Sequence, residues 1–258
     1  MQAQIDYTHQ SSFWYLPARY YTLRRQLSGS NYMTLIVLDT SPCVADYRQD
    51  NPDYWDPCSS QYPTCSLDDT DDDFQGPCKF HDNILSQDCT AQYNWLQSTL
   101  QGVPAEDWLI VMGHHPIDEV DMKDLTSLIQ NHGFSLYLNG HAHTLTQYTI
   151  DGTGAYITTG AGSLVNTASQ SHLITSLKVS GKDVGKEVYE RHRNSLNASL
   201  DLKAAYTHTY QTVFNQKVAG FTSHTFSDDF STLTTNFVAY TGDIIHTFTV
   251  NKKGQFVN

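Results

Sequence analysis

Apolar positions in this chain gather into short continuous runs separated by polar, glycine-rich turns. Met33 to Asp39 (MTLIVLD) is one such run, the pattern of a strand buried on both faces. Asp107 to Met112 (DWLIVM) is a second, and Phe134 to Leu138 (FSLYL) a shorter third. Between them, Thr90 to Leu100 places Tyr93, Leu96 and Leu100 on one helical face, and Leu125 to His132 predicts another helix. Leu145–Ile150 and Ala155–Thr159 predict two strands about an Asp151-Gly152 turn. In the charged stretch from Ser171 to Gln216, one or two helices are expected near Asp201–Phe214. Ala219–Phe226, Thr232–Tyr240 and Ile244–Val250 then alternate as an antiparallel meander does, with Thr241-Gly242-Asp243 turning the last pair. Strands and helices alternating early, followed by strands alone, predict an α/β fold with sheets sandwiched between helices.

Composition narrows the class. Hydrophobic residues at 39% and aromatics at 12% of 258 residues describe a globular chain. No run approaches the ~18 apolar residues of a membrane span. The opening MQAQIDYTHQ lacks the basic and apolar regions of a signal peptide, so none is expected in this chain. A formal charge of -12 repels nucleic acid, which is not expected as a partner. Twelve histidines would relieve that charge on acidification, which fits an acidic or extracellular setting. All five cysteines (Cys43, Cys58, Cys65, Cys78 and Cys89) fall in one loop-rich insert, residues 41–89. None forms a CxxC pair, so disulfides that staple the insert are expected rather than a zinc site. Its acidic run, Leu67 to Phe74 (LDDTDDDF), lacks the spacing of a calcium loop and reads as solvated surface. Asn197-Ala198-Ser199 forms a glycosylation sequon.

Candidate chemistry sits where two of the buried strands end. The second runs into Gly113-His114-His115-Pro116 and the third into Asn139-Gly140-His141-Ala142-His143. Ligands of α/β folds collect at the carboxyl ends of strands. A strand-like backbone through the second motif would place His141 and His143 on one side, with His114 from the neighbouring strand. Three imidazoles so placed form a metal constellation.

The pair VMGHHP and NGHAHTL resembles the last two blocks, GHxP and GHxH, of the calcineurin-like metallophosphoesterases. The segments AQIDYT…WYLPARYYTL, LIVLDT and TTGAGS narrow the likeness, which covers about residues 3–163 apart from the insert. Together they resemble purple acid phosphatases of the tartrate-resistant type. The resemblance implies a four-layer α/β/β/α sandwich, incomplete at the N-terminus. Residues 1–170 would be the C-terminal half of the metallophosphoesterase domain. Residues 171–258 would be a C-terminal extension, with a helical segment and antiparallel strands that complete the sheet. It implies a dinuclear metal centre, Fe with Fe, Zn or Mn, that hydrolyses a phosphomonoester substrate. His114 and His141 would bind the second metal and His143 the first. His115 stands at a variable position, where a supporting or pocket role is implied. A secreted or acidic endomembrane location is implied for the full-length protein.

The family's earlier blocks, which carry the bridging Asp, a Tyr, and the Asn and His of GNH[DE], have no counterpart in the resemblance. Met1 falls where GNH[DE] should have ended. Where some members carry an EHG-type His after GHxP, this chain has Asp118-Glu119-Val120-Asp121. Acid phosphatase activity by descent is therefore expected to be impaired in this chain alone. A non-catalytic interaction module is the rival reading, and a mononuclear zinc hydrolase built on the same three histidines is a third.

Overall fold

The computed structural model describes residues 2–48, 80–162 and 208–257. A short helix α1 (Gln2–Tyr7) leads into strands β1 (Tyr21–Ser28) and β2 (Asn31–Val37). Helices α2 (Phe80–Leu85) and α3 (Cys89–Gly102) come next, then β3 (Trp108–Met112), α4 (Leu125–His132) and β4 (Leu136–Asn139). A hairpin β5 (Leu145–Ile150) and β6 (Thr153–Thr159) precedes β7 (Tyr210–Gln216), β8 (Gly220–Phe226), β9 (Thr232–Ala239) and β10 (Ile244–Asn251).

Seven strands make one mixed sheet in the order β1-β2-β3-β4-β6-β5-β7, and three make a second in the order β10-β9-β8. The pairs β2/β3, β3/β4 and β4/β6 are parallel, so these strands share one carboxyl end. The apolar runs are continuous because both faces of these strands are buried. Leu109, Val111 and Tyr137 face a core with Leu96 and Leu100 of α3 and Leu125 and Ile129 of α4. Trp108, Ile110, Leu136 and Ile157 face the opposite way, against Leu233, Phe237 and Val250 of the smaller sheet. Helices, large sheet and small sheet thus stack as three layers among the described residues. This mixed α/β architecture is consistent with the metallophosphoesterase fold.

The strands expected in the C-terminal meander are present as β8, β9 and β10, joined antiparallel throughout. The helix expected to reach Phe214 is not. Tyr210–Gln216 instead pairs with β5 as an edge strand, and residues 201–207 lie outside those described. Its backbone groups on the side facing β5 are satisfied by that ladder, an interaction that local propensity does not report. Strand β1, at the other edge, was not expected from the sequence. Its Arg24 makes two hydrogen bonds to the buried Asp107 at 2.6 and 2.9 Å, and Thr34 donates a third at 2.8 Å. Those donors hold the Asp107 carboxyl below its ordinary pKa, with Arg24 the leading cause and burial opposing.

Two further ties fasten loops to this frame. A disulfide joins Cys43 to Cys89, so the first and last cysteines close the base of the insert, as a disulfide staple there requires. Cys58, Cys65, Cys78, the acidic run and the sequon lie outside the described residues. On the far side, His208 bridges Asp151 of the β5–β6 turn (2.6 Å) and Asp124, the N-cap of α4 (3.0 Å). Burial alone would lower the His208 pKa, but its hydrogen bonds to Asp151 and Asp124 and their charges raise it overall.

Candidate metal centre

Three loops meet at the carboxyl ends of β2, β3 and β4, and backbone hydrogen bonds continue beyond the strands to hold them. Leu38 N–H donates to Met112 at 2.8 Å, and Gly113 N–H to Leu138 at 3.1 Å. Past the last ladder pairs, the amides of Gly140 and His141 both donate to the His114 carbonyl, at 3.0 and 2.9 Å. The two histidine motifs are therefore joined through their main chains before any side chain is considered.

Small residues make this approach sterically allowed. A Cβ on Gly113 would lie 2.5 Å from the Thr40 methyl and 3.0 Å from the Tyr137 hydroxyl. Space, not a sharp turn of the backbone, is what requires glycine there. Gly160, in the TTGAGS segment after β6, is tighter still: a Cβ would meet the Gly140 carbonyl oxygen at 1.6 Å.

The side chains of His114 and His141 converge, with Nε2 of the first 3.1 Å from Nδ1 of the second. Two ligands at ~2.0–2.1 Å on a tetrahedral ion stand about 3.3 Å apart, so this donor pair fits a metal of that preference. Burial, with the nearby His143 as a second cause, lowers the His114 pKa and favours the neutral imidazole that ligation needs. The ring of His115 is also close, 4.8 Å from that of His114 and 4.5 Å from that of His141. Nitrogens of His114, His115 and His141 all lie within 4.8 Å of one another.

Position 115 is nevertheless built as a support. Its ring is buried, and its two nitrogens meet the Thr40 hydroxyl at 2.8 Å and the Tyr47 hydroxyl at 2.9 Å. Its amide donates to Thr40 Oγ1 at 3.2 Å, and its carbonyl accepts from the Tyr137 hydroxyl at 2.8 Å. Burial raises the Tyr137 pKa far above its ordinary value, so that hydroxyl stays a donor. Ligation through His115 would break one of its two ring hydrogen bonds, which agrees with a supporting role.

His143 is placed differently from what a strand-like backbone would give. Residues 141–144 form a turn, and His143 sits in the left-handed region at φ 49. Its nitrogens are outside the group of three that meet, although its charge reaches His114. Alternation along a strand therefore does not describe how His141 and His143 are related. Glu119, in the 3-10 turn Ile117–Glu119 after Pro116, brings Oε2 to 3.7 Å from His141 Nε2. Thr40 and Tyr47 were not singled out from the sequence, and Glu119 was noted only within the stretch that stands where EHG is expected. Their one signal is position: Thr40 ends LIVLDT, and Glu119 replaces part of the expected EHG stretch.

Converging imidazoles at strand ends, on a mixed sheet with helices over one face, are consistent with a metallophosphoesterase fold. Residues 40–145 match the family model described as calcineurin-like phosphoesterase. The chain is, further, homologous to tartrate-resistant acid phosphatase type 5, a purple acid phosphatase. It is 28% identical to the mouse protein over 176 residues, which is 64% of this chain and 46% of that protein. The human protein is likewise 28% identical over 178 residues, again 64% of this chain and 46% of the relative. The rat protein is 29% identical with the same coverage. The chain thus spans about half the length of the relatives it matches.

Proposed function

We propose that this chain takes part in phosphomonoester hydrolysis at a dinuclear metal centre, with His114 and His141 on one ion and His143 on the other. The observation that carries the reading is the pair of imidazole nitrogens 3.1 Å apart at the ends of adjacent parallel strands. A bound cation would supply Lewis-acid polarisation of the phosphate ester, with iron, zinc or manganese as the candidates. This chain's contribution is to present imidazole ligands. Partial desolvation lowers the His114 pKa, which favours the ligating form, and the Thr40–His115–Tyr47 cluster backs the site. The relatives' names, acid phosphatase, support a substrate of the phosphate ester class and an acidic working pH.

Three imidazoles bring no negative charge to two cations that must sit about 3.5–4 Å apart, so carboxylate ligands beyond these residues are needed. The 258-residue chain by itself should then hydrolyse an aryl phosphate at background, even with added iron, zinc or manganese. Addition of a polypeptide bearing the bridging-Asp and GNH[DE] blocks should restore turnover at acidic pH, and His143→Ala should abolish it again. Vigorous metal-dependent turnover by the chain alone would overturn this ligand account, and indifference of the restored enzyme to His143→Ala would overturn the placing of His143.

The Cys43–Cys89 disulfide supports an oxidising compartment, secreted or endomembrane, as the working location. No helix among the described residues is long and apolar enough to cross a membrane. The charge of -12 argues against a nucleic-acid partner.

A further inference from the structure

We propose that Glu119 is a positioning residue for the metal centre: its carboxylate accepts the Nε2–H of His141 and so directs the Nδ1 lone pair toward the ion. The inference rests on His141 as a ligand and adds a residue that the ligand reading does not include. The two ring nitrogens of His141 face different partners. Nδ1 is 3.1 Å from His114 Nε2, whereas Nε2 is 3.7 Å from Glu119 Oε2. The imidazole therefore stands between a ligand-type nitrogen and a carboxylate. Metal-bound histidines are commonly oriented in this way, with the nitrogen that does not bind held by an acceptor.

Direct ligation by Glu119 is the competing role, and the geometry disfavours it. The carboxylate lies against the nitrogen that faces away from His114, and it is outside the group of ligand atoms that meet within 4.8 Å. The support beneath it is stiff. Glu119 N–H donates to Pro116 at 3.1 Å and Val120 N–H to Ile117 at 3.2 Å, while Ile117 and Val120 anchor the turn in the core. The side chains of His141 and Glu119 are 35% and 23% exposed, so their interaction is partly sheltered from water. At 3.7 Å the pair is at ion-pair distance, and a small rotation of the Glu119 side chain closes it to a hydrogen bond. In the metal-free chain the arrangement requires His141 to carry its proton on Nε2, with His114 Nε2–H donating to His141 Nδ1.

The test uses the whole 258-residue chain in two measurements. Long-range 1H–15N NMR of the histidine rings, without metal, reads the tautomer of neutral His141. The Nε2–H form is expected in the native chain, shifting toward a mixture in Glu119→Ala. Glu119→Gln, which keeps an acceptor without the charge, should retain most of it. Titration with Co(II), followed by its visible absorption, reads the site itself. Glu119→Ala should weaken binding roughly 10–100-fold, with Glu119→Gln between it and the native chain. His141→Ala is the control. If it abolishes Co(II) binding while Glu119→Ala binds as the native chain does, the positioning role is wrong and the ligand reading stands. If His141→Ala leaves binding unchanged, or the native chain binds no Co(II), the ligand reading fails and takes the proposal with it. A native Nδ1–H tautomer at His141 would overturn the proposal whatever the metal does.

Discussion

A methyl group at position 160 would lie 1.6 Å from the Gly140 carbonyl oxygen, with backbone on both sides and no flexible side chain to give way. Gly160→Ala must therefore push the TTGAGS segment away from the loop that carries His141. Overpacking of this kind costs about 1–3 kcal/mol, and contact with backbone places the expected loss at the upper end. Denaturant unfolding should show it as a lower midpoint with an unchanged slope. Because the His143 amide nitrogen lies 3.0 Å from the same added atom, the variant should also disturb the 141–144 turn, visible as shifted His141 and His143 ring resonances. A variant as stable as the native chain would mean that the two loops do not touch in solution. At this scale the histidines were legible, because each motif follows an apolar run that can only be a buried strand. Thr40 and Tyr47 were not, since they reach His115 across 75 and 68 residues of sequence. Contacts of that range depend on which strands pair, which local pattern does not encode.

Strands β3 and β4 were legible as elements because burial on both faces demands uninterrupted apolar runs. Strand β7 was not, because its burial pattern is almost wholly exposed and shows no period. What fixes the approach to β7 is instead a nearby residue: His208 holds Asp151 and Asp124 together, and Thr209 N–H donates to Asp151 at 2.7 Å. Both carboxyls have lowered pKa values. At Asp124, burial opposes but the Ser127 and His208 hydrogen bonds prevail; at Asp151, the Thr209 amide leads. These shifts set the sign of the pH effect. A raised His208 pKa stabilises fully below its ordinary 6.5, and that part is lost as pH climbs through the folded value. Lowered carboxyl values stabilise above their ordinary 3.8, and that part is lost as pH falls through the folded values. The staple is thus strongest from roughly pH 4 to 6.5. His208→Gln should cost on the order of 1 kcal/mol in that window, since Asp151 is well exposed and screened, and less on either side. Thermal melts of both proteins from pH 3 to 9 check this, and a constant difference across the range would exclude the charged clamp.

For the molecule as a whole, the Cys43–Cys89 bond ties the loop after β2 to the start of α3, 46 residues apart. Neighbouring contacts share the load: Arg48 Nη1 donates to the carbonyls of Pro42, Ile84 and Gln87 at 3.2, 2.9 and 3.0 Å. Chain-entropy arguments assign such a cross-link at most about 4 kcal/mol. The paired Cys43→Ser and Cys89→Ser changes should therefore lower stability by about 2–4 kcal/mol without abolishing the fold. Tyr47 lies inside the closed loop, so the same variant should loosen its hydrogen bond to His115. An unchanged melting temperature under reducing and oxidising conditions would show the bond to be idle. The closure has an evolutionary side as well. With its two ends held 5.1 Å apart at Cα, the intervening stretch can lengthen or shorten at little expense, since doubling a loop costs only about 0.6 kcal/mol. A stretch clasped in this way can take up new sequence, residue by residue, without moving the two ends that the disulfide fixes.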